Sequence, residues 1–149
     1  TLRLARDFKN VVAIKEASGN IAQMDDIIKN KPEGFDVISG DDGITFPLIT
    51  LGAVGVISVL GNAFPREFSR MTQLALEGDY ANALLIHHKF AEMCNLLFVD
   101  GNPAGVKAML GIMGMIENKL RLPLVPARQV TCEKLSAAWN EIKCKVLRI

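Results

Sequence analysis

Three short apolar runs, each followed by a stretch with helical periodicity, constrain the fold of this chain most strongly. The runs cover residues 11–14, 35–38 and 55–60. The first and third are nearly continuous in β-branched and aliphatic residues, a composition typical of strands covered on both faces of a parallel sheet. Helices are predicted between them over residues 21–29, with Ser18 or Asn20 as N-cap, and over residues 44–51. This order predicts an α/β fold with right-handed crossovers.

The second half of the chain carries no strand pattern. Pro65 lies where a helix can begin, and residues 66–77 form the predicted helix, with Gly78 as its C-cap. Three further amphipathic helices are predicted, over residues 80–98, 103–115 and 131–147, the last with Thr131 as N-cap. A soft boundary near Gly78 therefore separates a βα part, residues 1–78, from a helical part, residues 79–149.

Charge and hydropathy argue against two classes of partner. The net charge of +1 at pH 7 supplies no basic surplus to neutralise nucleic-acid phosphates. The apolar runs stop far short of the roughly 20 residues that cross a bilayer. Three cysteines at irregular spacing fit a reducing cytosol better than a disulfide framework. We therefore expect a cytoplasmic protein that binds neither nucleic acid nor membrane, and no signal peptide opens the chain. Thr1 in place of methionine indicates a chain that has been processed, truncated or cut from a longer one.

Lys15 is the residue best suited to covalent chemistry. It ends the first apolar run, and functional groups of α/β sheets gather at the C-terminal ends of the strands. Desolvation can lower the pKa of a buried lysine by roughly 3–5 units. The neutral amine then attacks a carbonyl and forms a Schiff base, which serves as an electron sink. The alternative is a lysine that reaches solvent or pairs with Glu16, and the sequence pattern alone leaves both interpretations open.

The other polar candidates favour structural interpretations. Asp41 and Asp42 are neighbours on an extended segment and point to opposite faces, so we expect them to cap the next helix rather than to form one carboxylate pair. His87 and His88 point about 100° apart on a helix and cannot hold one metal ion from one face. No metal site is predicted.

Five segments form a specific set that spans nearly the whole chain. They are residues 14–20 (Ile-Lys-Glu-Ala-Ser-Gly-Asn), 39–42 (Ser-Gly-Asp-Asp), 55–59 (Gly-Val-Ile-Ser-Val), 102–107 (Asn-Pro-Ala-Gly-Val-Lys) and 120–124 (Leu-Arg-Leu-Pro-Leu). In this order they resemble the dihydrodipicolinate synthase branch of the pyruvate-dependent class I aldolase family, which also contains N-acetylneuraminate lyase. The first two segments favour the synthase branch.

The resemblance implies a fold, a reaction and a set of site residues. The fold would be the C-terminal part of a (β/α)8 TIM barrel, with the three apolar runs as strands 6–8, followed by a C-terminal helical region. Lys15 matches the Schiff-base lysine of the family, and Ile57, Gly40 and Asn102 match substrate-binding positions. The implied lyase condenses pyruvate with L-aspartate semialdehyde to 4-hydroxy-tetrahydrodipicolinate, in lysine and diaminopimelate biosynthesis. It works as a homotetramer and needs no metal or organic cofactor.

The sequence also departs from the family pattern. Many relatives have a bulkier residue and a second proline within the segment that corresponds to residues 101–106. The Gly-Thr-Thr-Gly-Glu segment, the proton-relay tyrosine and the substrate-binding arginine belong to the first five βα units of the family, and their motifs do not occur here. Since a barrel takes about 250 residues, we expect about half an enzyme. Two alternatives stay open: an N-acetylneuraminate or sugar-acid lyase, or a non-catalytic half-barrel that needs an N-terminal half.

Overall fold

The computed structural model describes residues 1–146 of the chain. These residues form two compact units: Thr1–Ser58 with Ser69–Leu84, and Val59–Phe68 with the described part of Leu85–Ile149. The boundary near Gly78 between a βα part and a helical part stays a prediction. Over the described residues, no helix combines the length and the apolar character that crossing a bilayer would require.

The first unit begins with the alternation of strands and helices that the sequence predicts. Its elements are α1 (Leu2–Asp7), β1 (Ala13–Glu16), α2 (Ile21–Asn30), β2 (Asp36–Ser39), a 3₁₀ turn (Asp42–Ile44) and α3 (Thr45–Leu51). The two strands pair in parallel, as expected for strands joined by a helical crossover. The sequence analysis missed α1, a six-residue helix without a side-chain cap or a buried residue to mark it.

Helix α2 begins where the capping chemistry predicts. The side chain of Asn20 accepts a hydrogen bond from the backbone N–H of Gln23 at 3.1 Å, so Asn20 rather than Ser18 is the N-cap. Met24 and Ile27 are buried on its inner face. Ile27 packs with Phe35 and Val37 in the core of this unit, which fixes α2 against one face of the sheet.

The third apolar run differs most from the prediction of a full strand. It forms one parallel bridge, between Ser39 and Val56, instead of a third strand of the sheet. Two backbone hydrogen bonds flank that bridge, from Ser39 N–H to Gly55 C=O at 2.8 Å and from Ile57 N–H to Ser39 C=O at 2.9 Å. The strand-like pairing ends after Ile57, because the chain leaves the sheet and forms the 3₁₀ turn Leu60–Asn62.

The remaining helices confirm the all-helical pattern of the second half. They are α4 (Pro65–Leu76), α5 (Tyr80–Leu96), α6 (Ala104–Ile112) and α7 (Gln129–Val146). Gly78 adopts φ +84°, as a glycine that terminates a helix does. The prediction for the start of α7 is wrong, because Thr131 is buried inside the first turn instead of capping it. Leu147, the predicted last residue of that helix, lies outside the described residues.

Candidate active site

The register of the two strands assigns Lys15 to one face of the sheet. Ile14 pairs with Val37, and Lys15 pairs with Ile38. Val37 is fully buried and Ile14 packs against its cluster, so this face carries the core. Side chains alternate along a strand, and Lys15 and Ile38 therefore occupy the opposite face. Strand β1 runs from Ala13 to Glu16, so it continues one residue past Lys15, which the sequence analysis places at the end of the strand.

Gly40 lies directly against the stem of Lys15. Its N–H donates to the backbone carbonyl of Glu16 at 2.8 Å, which continues the pairing of the two strands past Ser39. A Cβ atom at Gly40 would lie 2.8 Å from Cε of Lys15 and 2.7 Å from Cβ of Ala17. Both distances are shorter than any van der Waals contact. The absence of a side chain at Gly40 is therefore what lets the Lys15 stem cross this position.

Ile57 reaches the same edge from the third apolar run. Its hydrogen bond to Ser39 C=O aligns it with the end of β2, and its side chain is half exposed. The C-terminal ends of three parallel segments thus bring Lys15, Gly40 and Ile57 together. Asn102 lies in the second unit, exposed and two residues before α6. Its place in a site with the other three stays a prediction.

The burial expected around the amine of Lys15 is absent from this chain. Its side chain is exposed, and the expected desolvation is missing because the face that carries Lys15 is open in this chain. No ion pair joins it to Glu16 within the part of the chain that the structure describes. The two residues are neighbours on a strand and point to opposite faces, which explains why they do not pair.

Glu16 instead fastens the turn after β1. One carboxylate oxygen accepts the N–H of Ser18 at 2.7 Å, and the other accepts the side-chain amide of Gln23 at 3.0 Å. Burial alone raises the pKa of Glu16, but the hydrogen bonds from Ser18, Gln23 and Ala17 outweigh it, so the pKa lies below its ordinary value. The sequence analysis did not predict this role of Glu16. The pattern that could have indicated it is a glutamate at the end of a strand, two residues before Ser18, whose N–H it accepts.

A second hydrogen-bonded turn follows β2. The hydroxyl of Thr45 donates to the backbone carbonyl of Asp41 at 2.8 Å, and its oxygen also lies 3.0 Å from Oγ of Ser39, within hydrogen-bond distance. Asp41 accepts the N–H of Gly43 at 2.9 Å and so caps the 3₁₀ turn that precedes α3. Helix α3 itself has no side-chain cap and Asp42 is buried, so the two aspartates do not cap that helix as expected. Ser39 and Thr45 are fully buried, so their hydrogen bonds anchor the segment that contains Gly40 to the core of the unit.

The two histidines are neighbours on α5. The ring centroids of His87 and His88 lie 5.6 Å apart. Burial, and to a lesser degree the charge of His88, lowers the pKa of His87 below its usual range. Across the described residues, no group of three or more His, Cys, Asp or Glu side chains is arranged to hold a metal ion.

Comparison with known families identifies the family of the chain. The model of the dihydrodipicolinate synthetase family matches residues 1–142, nearly the whole chain. The chain belongs to this family. The relatives within it include the 4-hydroxy-tetrahydrodipicolinate synthase of Phocaeicola vulgatus, which is 81% identical over 145 residues, 97% of this chain and 49% of that protein. The synthase of Parabacteroides distasonis is 72% identical over the same length.

Solved structures of the family share the fold of the chain. The dihydrodipicolinate synthase of Thermotoga maritima superposes with a TM-score of 0.92 at 41% identity, covering 95% of this chain and 49% of that one. The 4-hydroxy-tetrahydrodipicolinate synthase of Methylacidiphilum fumariolicum gives a TM-score of 0.93 at 37% identity, covering 98% and 49%. The chain thus spans about half the length of the synthases that it matches.

Proposed function

We propose that this chain is the lysine-bearing half of a 4-hydroxy-tetrahydrodipicolinate synthase. The observation that carries the proposal is the convergence of Lys15, Gly40 and Ile57 at one end of three parallel segments, with Gly40 packed against the Lys15 stem. Close relatives with 81% and 72% identity bear this enzyme name, which supports the same activity for a longer protein that contains this chain.

In this proposal the amine of Lys15 is the nucleophile. The neutral amine attacks the ketone of pyruvate, water leaves, and an imine forms between Nζ and the former carbonyl carbon. Loss of a proton from the pyruvate methyl group gives an enamine, with the imine nitrogen as electron sink. The enamine carbon attacks the aldehyde of L-aspartate semialdehyde. The amino group of that second substrate then closes the ring by displacing Lys15, which leaves as the free amine.

The remaining site residues have binding roles in the proposal. The backbone at Ile57 approaches the bound pyruvate, Gly40 leaves room for the Lys15 stem, and Asn102 lies near the mouth of the pocket. The exposed face that carries Lys15 is then the inside of a (β/α)8 barrel, with the three parallel segments as strands 6–8. Strands contributed by the first five βα units would withdraw the amine from water, and desolvation favours its neutral form.

The proposal extends to assembly and location. A homotetramer in the cytoplasm, with residues 1–78 completing the barrel and residues 79–149 forming the helical region, is what the family resemblance implies. The three cysteines, Cys94, Cys132 and Cys144, lie at irregular spacing, which supports a reducing compartment.

Covalent capture tests the role of Lys15. The complete protein is incubated with pyruvate and sodium borohydride, digested, and analysed by peptide mass spectrometry. We expect a reduced pyruvate adduct on the peptide that contains Lys15, and none on the Lys15→Arg variant, because the guanidinium of arginine does not deprotonate. An adduct on another lysine, or no adduct on the complete protein, contradicts the proposal.

A second assay identifies the acceptor aldehyde. An N-acetylneuraminate lyase would condense the same pyruvate enamine with N-acetylmannosamine. The complete protein is therefore offered L-aspartate semialdehyde and N-acetylmannosamine separately, with pyruvate consumption as the readout. Consumption that depends on L-aspartate semialdehyde supports the synthase, and consumption with the sugar alone assigns the chain to the lyase branch.

A further inference from the structure

The second unit contains a cavity of about 340 Å³ that the proposed reaction does not use. Its walls come from α4, α5 and α7 and from Phe64, which precedes α4. The floor is aromatic and aliphatic: Phe64, Phe90 and Ile142 are almost fully buried, and Trp139 completes it. The volume lies at the lower end of the range for small-molecule sites, which runs from about 300 to 1,000 Å³.

The aromatic rings of the floor form one packed cluster. The ring centroids of Phe64 and Phe90 lie 5.0 Å apart, and those of Phe64 and Trp139 lie 5.3 Å apart. Both pairs are tilted, within the range in which aromatic pairs attract each other. These rings belong to the packed core of the unit, so the shape of the cavity floor is formed before any ligand binds.

Two lysine ammonium groups lie over this aromatic wall. Nζ of Lys143 is 5.1 Å from the ring centroid of Trp139, and Nζ of Lys89 is 6.0 Å from that of Phe90. Glu67 is the one acidic residue among those that line the cavity. Neither lysine forms an ion pair with Glu67 or with another described residue. The cavity thus combines an apolar floor with a net positive charge of one.

We propose that this cavity binds a small amphipathic carboxylate, with an aromatic or branched aliphatic body on the floor and its carboxylate between Lys89 and Lys143. The apolar body gains from leaving water against Phe64, Phe90 and Trp139. The carboxylate meets two ammonium groups that cation–π contacts hold at the rim. The site does not involve Lys15, and the proposal stands whether or not the chain forms a Schiff base.

Three ligands with the same hydrocarbon body and different head-group charges test whether the cavity selects a negative charge. 4-Phenylbutyrate, 4-phenylbutanol and 4-phenylbutylamine share the body and differ in the charge of the head group. Each is titrated into the complete protein and followed by calorimetry and by tryptophan fluorescence. Trp139 is the single tryptophan of this chain and lines the site, and the Trp139→Phe variant identifies its share of the signal. We expect binding in the order carboxylate, alcohol, amine.

Lysine variants show whether the rim selects the charge. The double variant with Lys89→Gln and Lys143→Gln should bind 4-phenylbutyrate about tenfold more weakly, because both ammonium groups that face its carboxylate are removed, and should bind 4-phenylbutanol as before. Lys134→Gln is the matched control, because this exposed lysine of α7 does not line the cavity. Circular dichroism checks that each variant folds. No saturable binding of the carboxylate, equal binding of the amine, or no effect of the double variant overturns the proposal.

Discussion

The closest packing within the candidate site joins Gly40 and Lys15, because the Lys15 stem occupies the space that a side chain at Gly40 would fill. The Gly40→Ala variant would add a Cβ within 2.8 Å of Lys15 Cε and 2.7 Å of Ala17 Cβ. The Lys15 stem can move aside, but Cβ of Ala17 is held by the backbone, so the backbone that carries Lys15 or Gly40 has to shift as well. A displacement of about 1 Å at a reacting group can cost about 100-fold in rate. We expect pyruvate adduct formation on Lys15 to slow by about 10- to 100-fold, measured as adduct yield against time with borohydride.

Gly43→Ala is the matched control for that experiment. Gly43 lies three residues further along the same turn, and a Cβ there would meet only Oδ1 of Asp41, at 3.4 Å. This is an ordinary van der Waals distance, so the adduct should form at the rate of the unchanged protein. Equal rates for both variants would show that Gly40 does not position Lys15.

Glu16 makes the stability of the first turn depend on pH. Its pKa is lowered in the folded protein, so its carboxylate stabilises the fold above the ordinary value of 4.5, and this contribution is lost as the pH falls through the folded-state value. Glu16→Gln should cost about 1–2 kcal/mol at neutral pH, the scale of hydrogen bonds to a charged group. The cost should shrink as the pH falls below 4.5 and through the lowered pKa of Glu16. Urea denaturation at several pH values measures it.

The exposed Glu33 provides the comparison for Glu16. It precedes β2 in the loop after α2 and takes part in no hydrogen bond or ion pair within the described part of the chain. The Glu33→Gln variant should therefore follow the unchanged protein at each pH. A Glu16→Gln variant with the same pH dependence as the unchanged protein would rule out the assigned role of Glu16.

The sequence predicts the roles of some residues in this unit better than those of others. Lys15 was identified because a lysine within an apolar run is unusual, and Asn20 because capping follows a local rule. The exposure of Lys15 was not predictable in the same way, because burial depends on which segments cover the opposite face of the sheet. The role of Glu16 was missed because its partners Ser18 and Gln23 come from the turn and the next helix.

At the scale of elements, α6 packs very closely against the backbone of Leu97, the residue that follows α5. A Cβ at Gly105 would lie 2.0 Å from the backbone oxygen of Leu97 and 2.6 Å from its carbonyl carbon. Because both atoms belong to the backbone, the helix itself has to shift. Gly105→Ala should therefore destabilise the fold by about 3 kcal/mol, at the upper end for overpacking. Urea denaturation measures the free energy of unfolding.

Gly111 lies in the same helix and serves as the control. A Cβ there would meet Cβ of Asn118 at 3.2 Å, which a shift of a few tenths of an ångström relieves. Alanine also favours a helix interior over glycine by about 1 kcal/mol. Gly111→Ala should thus change the free energy of unfolding by less than about 1 kcal/mol. A Gly105→Ala variant as stable as Gly111→Ala would contradict the tight packing of α6.

The start of α7 depends on a residue that is distant in sequence. The carboxylate of Asp100 accepts hydrogen bonds from the backbone N–H and from Nε of Arg128, at 2.9 and 2.7 Å. A hydrogen bond from the Thr131 hydroxyl, together with those from Arg128, lowers the pKa of Asp100. Asp100→Ala should lower the thermal midpoint. Glu117→Ala should leave it nearly unchanged, because the ion pair of Glu117 with Lys119 is largely exposed.

The elements were predicted from the sequence more completely than their ends. Periodicity identified α2 to α7, and the terminating glycine of α4 was identified because only glycine readily adopts that backbone conformation. The start of α7 was assigned wrongly because its cap comes from Asp100, 29 residues before Gln129 in the sequence. The third run was overextended because an apolar composition does not show where the chain turns away from the sheet.

At the scale of the whole molecule, the open face of the sheet decides what the chain can do. It carries the exposed Lys15 and the half-exposed Ile57, while helices cover the other face. The edge of β1 away from β2 has no strand partner within the described residues. Unpaired strand edges and exposed apolar side chains are features that another segment normally covers. The matched synthases are about twice as long, so we infer that an N-terminal half supplies that segment.

Complementation tests this inference directly. This chain is coexpressed with the N-terminal half of the Phocaeicola vulgatus synthase, whose remaining half is 81% identical to it. We expect the two chains to copurify and to condense pyruvate with L-aspartate semialdehyde, because the added strands would cover the open face and desolvate Lys15. The chain alone should be inactive, and the pair with Lys15→Arg should copurify without activity. Copurification without activity in the unchanged pair would make the chain a structural half, whereas full activity of the chain alone would show that the open face needs no cover.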